Sequence, residues 1–391
     1  MADEEFSPLH LFWSRFKKEY FAICGLIGIL FLLLIAVYAP IIANGRPLIL
    51  YKSNTLSFPF LHFVFSPDST EVTVEQIFNF FMLYMPLLFG SYLLFRKKIK
   101  LFVISAFILF FLLLIPFFTT HRILDETNWR TVSSKLKSNE FALFAPVPYG
   151  PRENVAEPYS KSTSEHLLGT DKIGRDVCAR MLYGARVSLA VGLIATSISV
   201  IIGTVIGLAS GFFGGKFDMI SMRIVEVVIC FPTFLLLLIL MGILQQTSFK
   251  QSILLVIAVI GFTSWTGVTR IVRGETLKIR TMPFIQSCET LAVPTKRILL
   301  VHILPNIIGL ILINFSFGVA GAVMAESTLS FLGFGVQPPT SSWGELLRQA
   351  MENPFAYWHL TLWPGLALFL AVVSFNFAGE GLRKALDPKS D

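Results

Sequence analysis

Few groupings in this 391-residue chain have the residue types and spacing that chemistry needs. The densest runs from His166 to Asp176, where Asp171 and Asp176 flank Arg175 and the glycines Gly169 and Gly174 punctuate the stretch. Two carboxylates beside a guanidinium suit acid–base work, but neither a nucleophile nor a metal-ligand cluster accompanies them. The same residues fit tight turns with satisfied charges, with Asp176 capping a helix that starts at Val177. The structural reading is preferred. A second grouping, Gly211-Phe-Phe-Gly214-Gly-Lys216, sets glycines near a lysine, yet it has the wrong spacing for a phosphate-binding loop and lacks the Ser or Thr that should follow. G-x-x-x-x-G-K-[ST] does not occur, so no ATP hydrolysis, and no enzyme activity, is expected of this chain. Cys24, Cys178, Cys230 and Cys288 are scattered without CxxC or zinc spacing, so neither a disulfide framework nor a metal site is indicated, and no cofactor is expected.

A third grouping points to binding. Thr281 to Asn306 is a polar, basic break between two long apolar runs, and its surroundings carry Arg270, Arg273, Lys278, Arg280, Lys296 and Arg297 against Glu275 and Glu289. Pro283 suits a first helical turn and Pro294 cannot continue a helix, so the spacing predicts a short helix over Pro283 to Val293. Phe284, Ile285, Cys288, Leu291 and Ala292 recur at i, i+1, i+4, i+7 and i+8, which puts them on one face. That face needs a place to be buried. A groove in a soluble partner and the membrane interface both offer one, and periodicity alone tilts towards the interface.

The elements that must hold these groups are membrane spans. Only 15% of residues are charged and 54% are hydrophobic, with 38 phenylalanines, and mean hydropathy is +0.69. Uncharged apolar runs of about 18 residues or more read as spanning helices, so the fold class is an all-α polytopic membrane protein. Net charge is +7, but the cations sit in short loops beside spans rather than in one patch. That sets orientation and argues against nucleic acid. Eight spans are expected: Phe21 to Tyr38, Ile77 to Phe95, Leu101 to Phe118, Val187 to Ala209, Ile224 to Leu244, Ile253 to Thr269, Ile307 to Ala325 and Leu360 to Phe377. Arg96, Lys97, Lys98 and Lys100 between the second and third belong in the cytoplasm, as do Arg15, Lys17, Lys18, Arg383 and Lys384 at the two ends, so both termini are expected inside. The first run is too long for a signal-peptide core and is expected to be retained. The resulting plan is a tail at 1–20, a span at 21–38, an outer segment at 39–76, a hairpin at 77–118, an outer loop with an interfacial helix at 119–186, a five-span core at 187–380 with a coupling loop at about 270–306, and a tail at 381–391. Gly203, Gly207 and Gly211 repeat every four residues along the fourth span and favour close helix packing. Glu226 lies near the inner end of the fifth span, one turn from Arg223, and reads as a paired group.

From about His166 to Pro388 the chain resembles the C-type permeases of dipeptide and oligopeptide ABC importers. The stretches that carry the likeness are LGTDKIGRD with LYGARVSL, GFFGGKFDMISMRIVEVVICFPT, RIVRGETL, HILPN, ESTLSFLGFG, WGELL and FNFAGEGLRKALDP. The family's coupling pattern is Glu-Ala-Ala, three residues, Gly, nine residues, then Ile-x-Leu-Pro. Here those positions read Gln286, Ser287, Cys288, then Ala292, then His302, Ile303, Leu304 and Pro305. The resemblance implies a six-helix core in a bacterial cytoplasmic (inner) membrane, with the hairpin 77–118 as an addition. It also implies a second homologous permease, two ATP-binding subunits and an extracytoplasmic peptide-binding protein as partners, beside membrane lipid. Phe284, Ile285, Gln286, Ser287, Cys288, Leu291 and Ala292 would form the helix that docks into the ATP-binding subunit. Three other readings stand beside peptide import: an ABC permease for another solute such as nickel or a peptide antibiotic, a non-transport scaffold, and a proton-coupled carrier. The last normally buries ionisable groups at mid-membrane, where this chain offers only Glu226.

Overall fold

The computed structural model describes residues 13, 15–65, 72–119, 127, 129–136, 139–244 and 253–386. Most of the N-terminal tail and the end of the C-terminal tail therefore lie outside the described residues. In chain order come α1 (Tyr20–Ile42), β1 (Ile49–Lys52), β2 (Thr55–Ser57), α2 (Pro59–Phe65), α3 (Val72–Phe95), α4 (Ile99–Thr119), α5 (Trp129–Ser134) and β3 (Phe141–Leu143). They are followed by α6 (Val177–Phe213), α7 (Gly215–Cys230), α8 (Thr233–Leu244), α9 (Ile253–Thr263), α10 (Trp265–Arg280), α11 (Pro283–Thr290) and α12 (Thr295–Arg297). A π-helical turn (Ile298–Ile303), α13 (Leu304–Phe331), α14 (Trp343–Gln349) and α15 (Trp358–Leu386) complete the chain. Among the described residues, seven helices are long and apolar enough to cross a membrane, and the pair α7–α8 would make an eighth if it counts as one span.

That eighth span is not the straight helix expected over Ile224 to Leu244. Its two halves meet at 83°. The cause is in the sequence: Phe231 precedes Pro232, whose ring drives the preceding residue out of the α region, and Phe231 is extended at φ −83°, ψ 130°. Pro232 then sits where its missing N–H costs nothing, and its carbonyl accepts from the Leu236 N–H at 3.0 Å to open α8. A further departure concerns length. α6 runs unbroken for 37 residues, about 55 Å at 1.5 Å per residue, so the interfacial helix and the fourth span are one element rather than two. The helical class holds, and beside the helices lies a small antiparallel sheet of order β2-β1-β3, with Leu50 paired to Ser57 and Ala142.

The chain divides into two compact units, one of residues 1–31, 190–335 and 366–391 and the other of residues 32–189 and 336–365. In the first, α6 meets α10 along a stepped contact. A Cβ on Gly203 would lie 2.7 Å from Val268 Cβ, one on Gly207 2.8 Å from Val272 Cβ, and one on Gly211 2.7 Å from Thr276 Cβ, each also 2.8 Å from a backbone carbonyl of α10. Lipid tails supply no hydrophobic drive between helices, so this absence of side chains is what lets the backbones approach. Directly ahead of α13, the π-helical turn precedes Pro305, which has no N–H to give to Val301 and whose ring would strike that carbonyl in a regular α-helix.

In the second unit, the hairpin α3–α4 is held by one buried guanidinium. Arg186, 1% exposed, donates to Ala36 O at 2.6 Å, Val37 O at 2.9 Å and Asn79 Oδ1 at 2.8 Å. Asn79, fully buried on α3, donates in turn to Val64 O of α2 at 2.9 Å. The guanidinium also lies over Phe78 and Tyr183, 5.5 and 5.4 Å from the ring centroids. Within the hairpin, Phe80 and Tyr84 of α3 stack edge-on against Phe110 of α4. No residue of the apolar stretch of α4 is buried, as a helix facing lipid would require.

The stepped contact generates a prediction. Gly207→Ala should destabilise the protein by about 1–3 kcal/mol through overpacking. Gly267→Ala on α10, where a Cβ would meet nothing within 4 Å, should leave it unchanged or raise it by less than about 1 kcal/mol. Melting temperatures of the two variants in one detergent check this, and equal melting would contradict it.

Candidate functional site

α11 begins as the prolines dictate and ends earlier than expected. Met282 is extended at φ −73°, ψ 144°, Pro283 takes the first turn, and the helix closes at Thr290 instead of Val293. Leu291 and Ala292 therefore lie in the cap. Ala292 has φ +52°, its N–H donates to Glu289 O at 3.0 Å, and the Val293 N–H donates to Cys288 O at 3.0 Å. These two bonds form a Schellman cap, a place that glycine usually fills because a Cβ in the left-handed region costs about 1–2 kcal/mol. The physical reason for a glycine in the family's coupling pattern is thereby visible at this chain's alanine.

The five apolar positions do not share one buried face. Ile285 is fully buried in the first unit's own core, among Leu208 and Phe212 of α6, Val272 and Ile279 of α10, Ile298 and Ile303 of the π-helical turn, and Ile307 of α13. Cys288, Met282 and Val293 pack against the same cluster. Phe284 is 42% and Leu291 76% exposed, and Gln286, Ser287 and Ala292 are exposed as well. At about 100° per residue, 284 and 291, seven apart, point nearly alike, while 288 is turned from 284 by about 40° and 285 by about 100° towards the core. The apolar arc is wider than the bed beneath it. Ile285 and Cys288 brace the helix, and Phe284 and Leu291 form its outer edge.

Charges stiffen the base of this element. Arg273 of α10 grips Asp218 of α7 in a two-pronged pair, Nε to Oδ1 at 3.0 Å and Nη2 to Oδ2 at 2.5 Å, a geometry that fixes orientation as well as distance. Arg280 lies over the Phe212 ring, 5.4 Å from its centroid, and its Nε is 4.0 Å from Glu289 Oε1. Arg223 and Glu226 pair at 2.7 Å with both side chains exposed. Sequence reasoning named none of the residues lining a groove of about 440 Å³ in the first unit, whose polar groups are Thr196, Ser199, Thr233, Ser264 and Asn314. Thr196 and Ser199, three apart inside an apolar span, were the available signal. The Thr196 hydroxyl is buried and has no hydrogen-bond partner among the described residues.

The acid-and-glycine run lies in the second unit and is a buried network. Asp171 Oδ1 accepts from the backbone of Ile173 and Arg175 at 3.0 and 2.9 Å, and Oδ2 accepts from Arg175 Nε at 2.7 Å. Arg180 Nη2 bonds Glu345 Oε2 at 2.5 Å, and His166 Nδ1 meets Asp176 Oδ2 at 2.9 Å. Asp176 Oδ1 caps α6 by accepting from the Ala179 N–H at 2.8 Å. Burial, with Arg180 close by, holds the Arg175 guanidinium below its usual range. Gly169 and Gly174 have φ of +79° and +81°, and a Cβ there would strike Ser160 O at 2.5 Å and Ala156 O at 2.0 Å. Arg180 and Glu345 were missed because a salt bridge spanning 165 residues leaves no trace in local spacing.

Membrane-length helices packed on glycine steps, with a short helix braced at the end of two of them, define a polytopic membrane protein. The family described as "Binding-protein-dependent transport system inner membrane component" matches residues 203–391, and "N-terminal TM domain of oligopeptide transport permease C" matches residues 7–55. Over 298 residues the chain is 39% identical to the oligopeptide transport system permease protein OppC of Haemophilus influenzae, covering 75% of this chain and 86% of that one. Identity to the dipeptide transport system permease protein DppC of Bacillus subtilis is 35%, over 68% and 85% of the two chains. Identity to the glutathione transport system permease protein GsiD of Pectobacterium atrosepticum is 37%, over 58% and 74%. The chain belongs to this family of binding-protein-dependent inner-membrane transport components. It is a multi-pass permease of the ABC importer class, and the hairpin α3–α4 falls between the two matched stretches.

Two predictions follow from α11. Ile285→Ala should cost about 2–5 kcal/mol, as for a buried Ile in a packed core, while Phe284→Ala on the exposed edge should shift the melting temperature little. Comparable losses in both would overturn the division of the face. Ala292→Gly should stabilise the cap by about 1 kcal/mol and Ala292→Val should weaken it, since a β-branched residue tolerates positive φ worst. Protease cleavage between residues 281 and 297 would read the difference.

Proposed function

We propose that the chain is the permease subunit through which an ABC importer admits short peptides, and that α11 is the surface on which an ATP-binding subunit docks. The observation that carries this reading is the split of α11: Ile285 is locked into the protein's own core while Phe284 and Leu291 stand exposed beside it. A helix serving only the membrane interface needs no rigid attachment to α10 and α13. A lever does. ATP-driven closure of the docked subunits would displace Phe284 and Leu291, Ile285 and the Asp218–Arg273 pair would pass the displacement to α10, and the glycine steps would carry it to α6 as a rigid-body movement. For this to do work, the docked subunit must bind α11 differently in its two nucleotide states.

The full assembly comprises a second homologous permease, two ATP-binding subunits and an extracytoplasmic peptide-binding protein. The names of the oligopeptide, dipeptide and glutathione relatives support a peptide cargo. The cationic joint Arg96 to Lys100 between α3 and α4 supports an orientation with that joint, α11 and both termini in the cytoplasm and the polar stretches at 39–76 and 119–186 outside.

Two measurements test this. In a strain lacking the native permease, Phe284→Asp combined with Leu291→Asp should abolish tripeptide uptake while the protein stays inserted and melts like the wild type. Undiminished uptake would remove the docking role. In a cysteine-free background, Leu291→Cys should react with an impermeant maleimide only from the cytoplasmic side and Phe355→Cys, 93% exposed, only from outside. Labelling of both from one side would overturn the orientation.

A further inference from the structure

The small sheet of the second unit is amphipathic in the opposite sense to a sheet that faces water. Residues paired across an antiparallel ladder share a face, and neighbours along a strand alternate between faces. The pairing of Tyr51 with Leu56 and Phe141, and of Ile49 with Leu143, therefore gathers five apolar side chains on one face. The pairing of Leu50 with Ser57 and Ala142, and of Lys52 with Thr55, puts the polar residues on the other, where Leu50 is buried. The apolar face is the open one: Leu56 is 56%, Phe141 55% and Leu143 51% exposed. A contiguous apolar patch of this kind marks a contact with a membrane or with a partner.

What covers it follows from where the sheet is attached. β2 ends at Ser57 and α2 begins at Pro59, so Phe58, itself exposed, is the single residue between them. α2 is clamped at the ends of the spans. Its Phe60 and Val64 cluster with Met82 of α3, and Val37 and Tyr38 of α1 and Phe117 of α4 pack against that cluster. The Phe65 and Phe117 rings lie 5.2 Å apart. Val37 and Tyr38 belong to the last two turns of α1 and Phe117 to the last turn of α4. The sheet is thus tethered, one residue away, to a helix at the level where α1 and α4 leave the membrane. Along the chain, exposed apolar side chains continue from Leu56 through Phe58 and Leu61 towards a helix, α4, whose apolar stretch has no buried residue.

The placing of polar groups sets the depth. The apolar face carries no charge, whereas Lys52, Ser53 and Asn54 collect at the hairpin tip, with the Ser53 N–H donating to Glu140 Oε1 at 2.8 Å. Tyr51 stacks its ring on Phe141, 5.8 Å between centroids, and its hydroxyl donates to Asn54 Oδ1 at 2.6 Å. An apolar body with a polar end suits the boundary between lipid and water. β2 and β3 are the edges of the sheet, and the outward backbone groups of an edge need water or headgroups, so the sheet does not enter the hydrocarbon. Lipid accounts for both the uncharged face and its level; a soluble partner accounts for the first alone.

We propose that the face formed by Tyr51, Leu56, Phe141 and Leu143 rests on the membrane surface, its side chains in the headgroup boundary and its polar face turned to water. It fixes the segment after α1 to the lipid beside the hairpin α3–α4. The orientation given above makes this the outer leaflet, and the proposal rests on that reading for the leaflet alone.

The test uses the full chain in nanodiscs of phosphatidylethanolamine and phosphatidylglycerol, with single cysteines in the cysteine-free background carrying a nitroxide. Leu56→Cys, Phe141→Cys and Leu143→Cys should each be relaxed severalfold more by oxygen, which concentrates in lipid, than by a water-soluble nickel chelate. Thr55→Cys, one residue from Leu56 and on the opposite face, should show the reverse, while Ile108→Cys on α4, exposed among the spans, marks the lipid extreme. Three sites are read so that a variant failing to fold, seen in its melting temperature, leaves two. Stronger relaxation by nickel at the apolar sites would overturn the proposal and leave the face to a soluble partner. Protection of those sites from both agents would overturn it too, because protein would then be covering them. An impermeant maleimide on Thr55→Cys in whole cells separates the two claims: labelling from the cytoplasmic side alone refutes the orientation while the lipid contact stands.

Discussion

The close approach of α6 to α10 across Gly203, Gly207 and Gly211 is the contact on which the rest of the first unit depends. Helices in lipid gain nothing by hiding apolar side chains from an equally apolar solvent, so they associate where backbones come close enough for dense van der Waals contact. Each glycine places Val268, Val272 or Thr276 where its own side chain would be. The register of α10 against α6 is thereby fixed in steps of one turn, and a slip by one residue would bring a side chain into a backbone carbonyl. Everything at the far end of α10 inherits that register: Arg273 meets Asp218, Arg280 reaches Phe212, and Ile279 helps form the pocket that receives Ile285.

Much of this was legible in the chain. Apolar length gave the spans, and a repeat of four gave the glycine face of α6, because both are one-dimensional properties. The break at Pro232 was equally legible, since an X-Pro pair inside an apolar run disfavours helix at X, and apolar length alone overrode it. The division of α11 was beyond reach. Periodicity says that Phe284, Ile285, Cys288 and Leu291 lie on one arc, but not how much of the arc the protein's own helices cover, and that depends on Ile298, Ile303 and Ile307 arriving from the chain beyond. Likewise, the turn at Gly169 and Gly174 followed from composition, whereas its partners Arg180 and Glu345 are joined only in the folded state.

The second unit shows how polar groups are used where they are buried. Arg186 has its described hydrogen bonds to two carbonyls and an amide oxygen, not to a carboxylate. Such an arrangement satisfies donors and adds two aromatic faces to hold the cation. Replacing it by an ion pair would demand a second buried charge, with its own desolvation cost. The consequence is a directional clasp: α1 contributes carbonyls, α3 contributes Asn79, and neither can shift without leaving a buried donor unmet. The hairpin α3–α4 is thus joined to α6 through Asn79 and Arg186.

Ala292 makes a different point about where strain is acceptable. Its left-handed backbone costs about 1–2 kcal/mol relative to glycine, yet the cap closes with both Schellman bonds in place. The conformation persists because Cys288 and Val293, on either side of the cap, are packed against the cluster around Ile285. Tertiary burial therefore imposes a turn that local preference resists. A glycine would adopt the same turn unaided and would hold the cap even when the core beneath it loosens. With alanine, the cap survives only while Ile285 is seated. The geometry of the exposed edge at Phe284 and Leu291 is in this way made conditional on the packing of the helices beneath it.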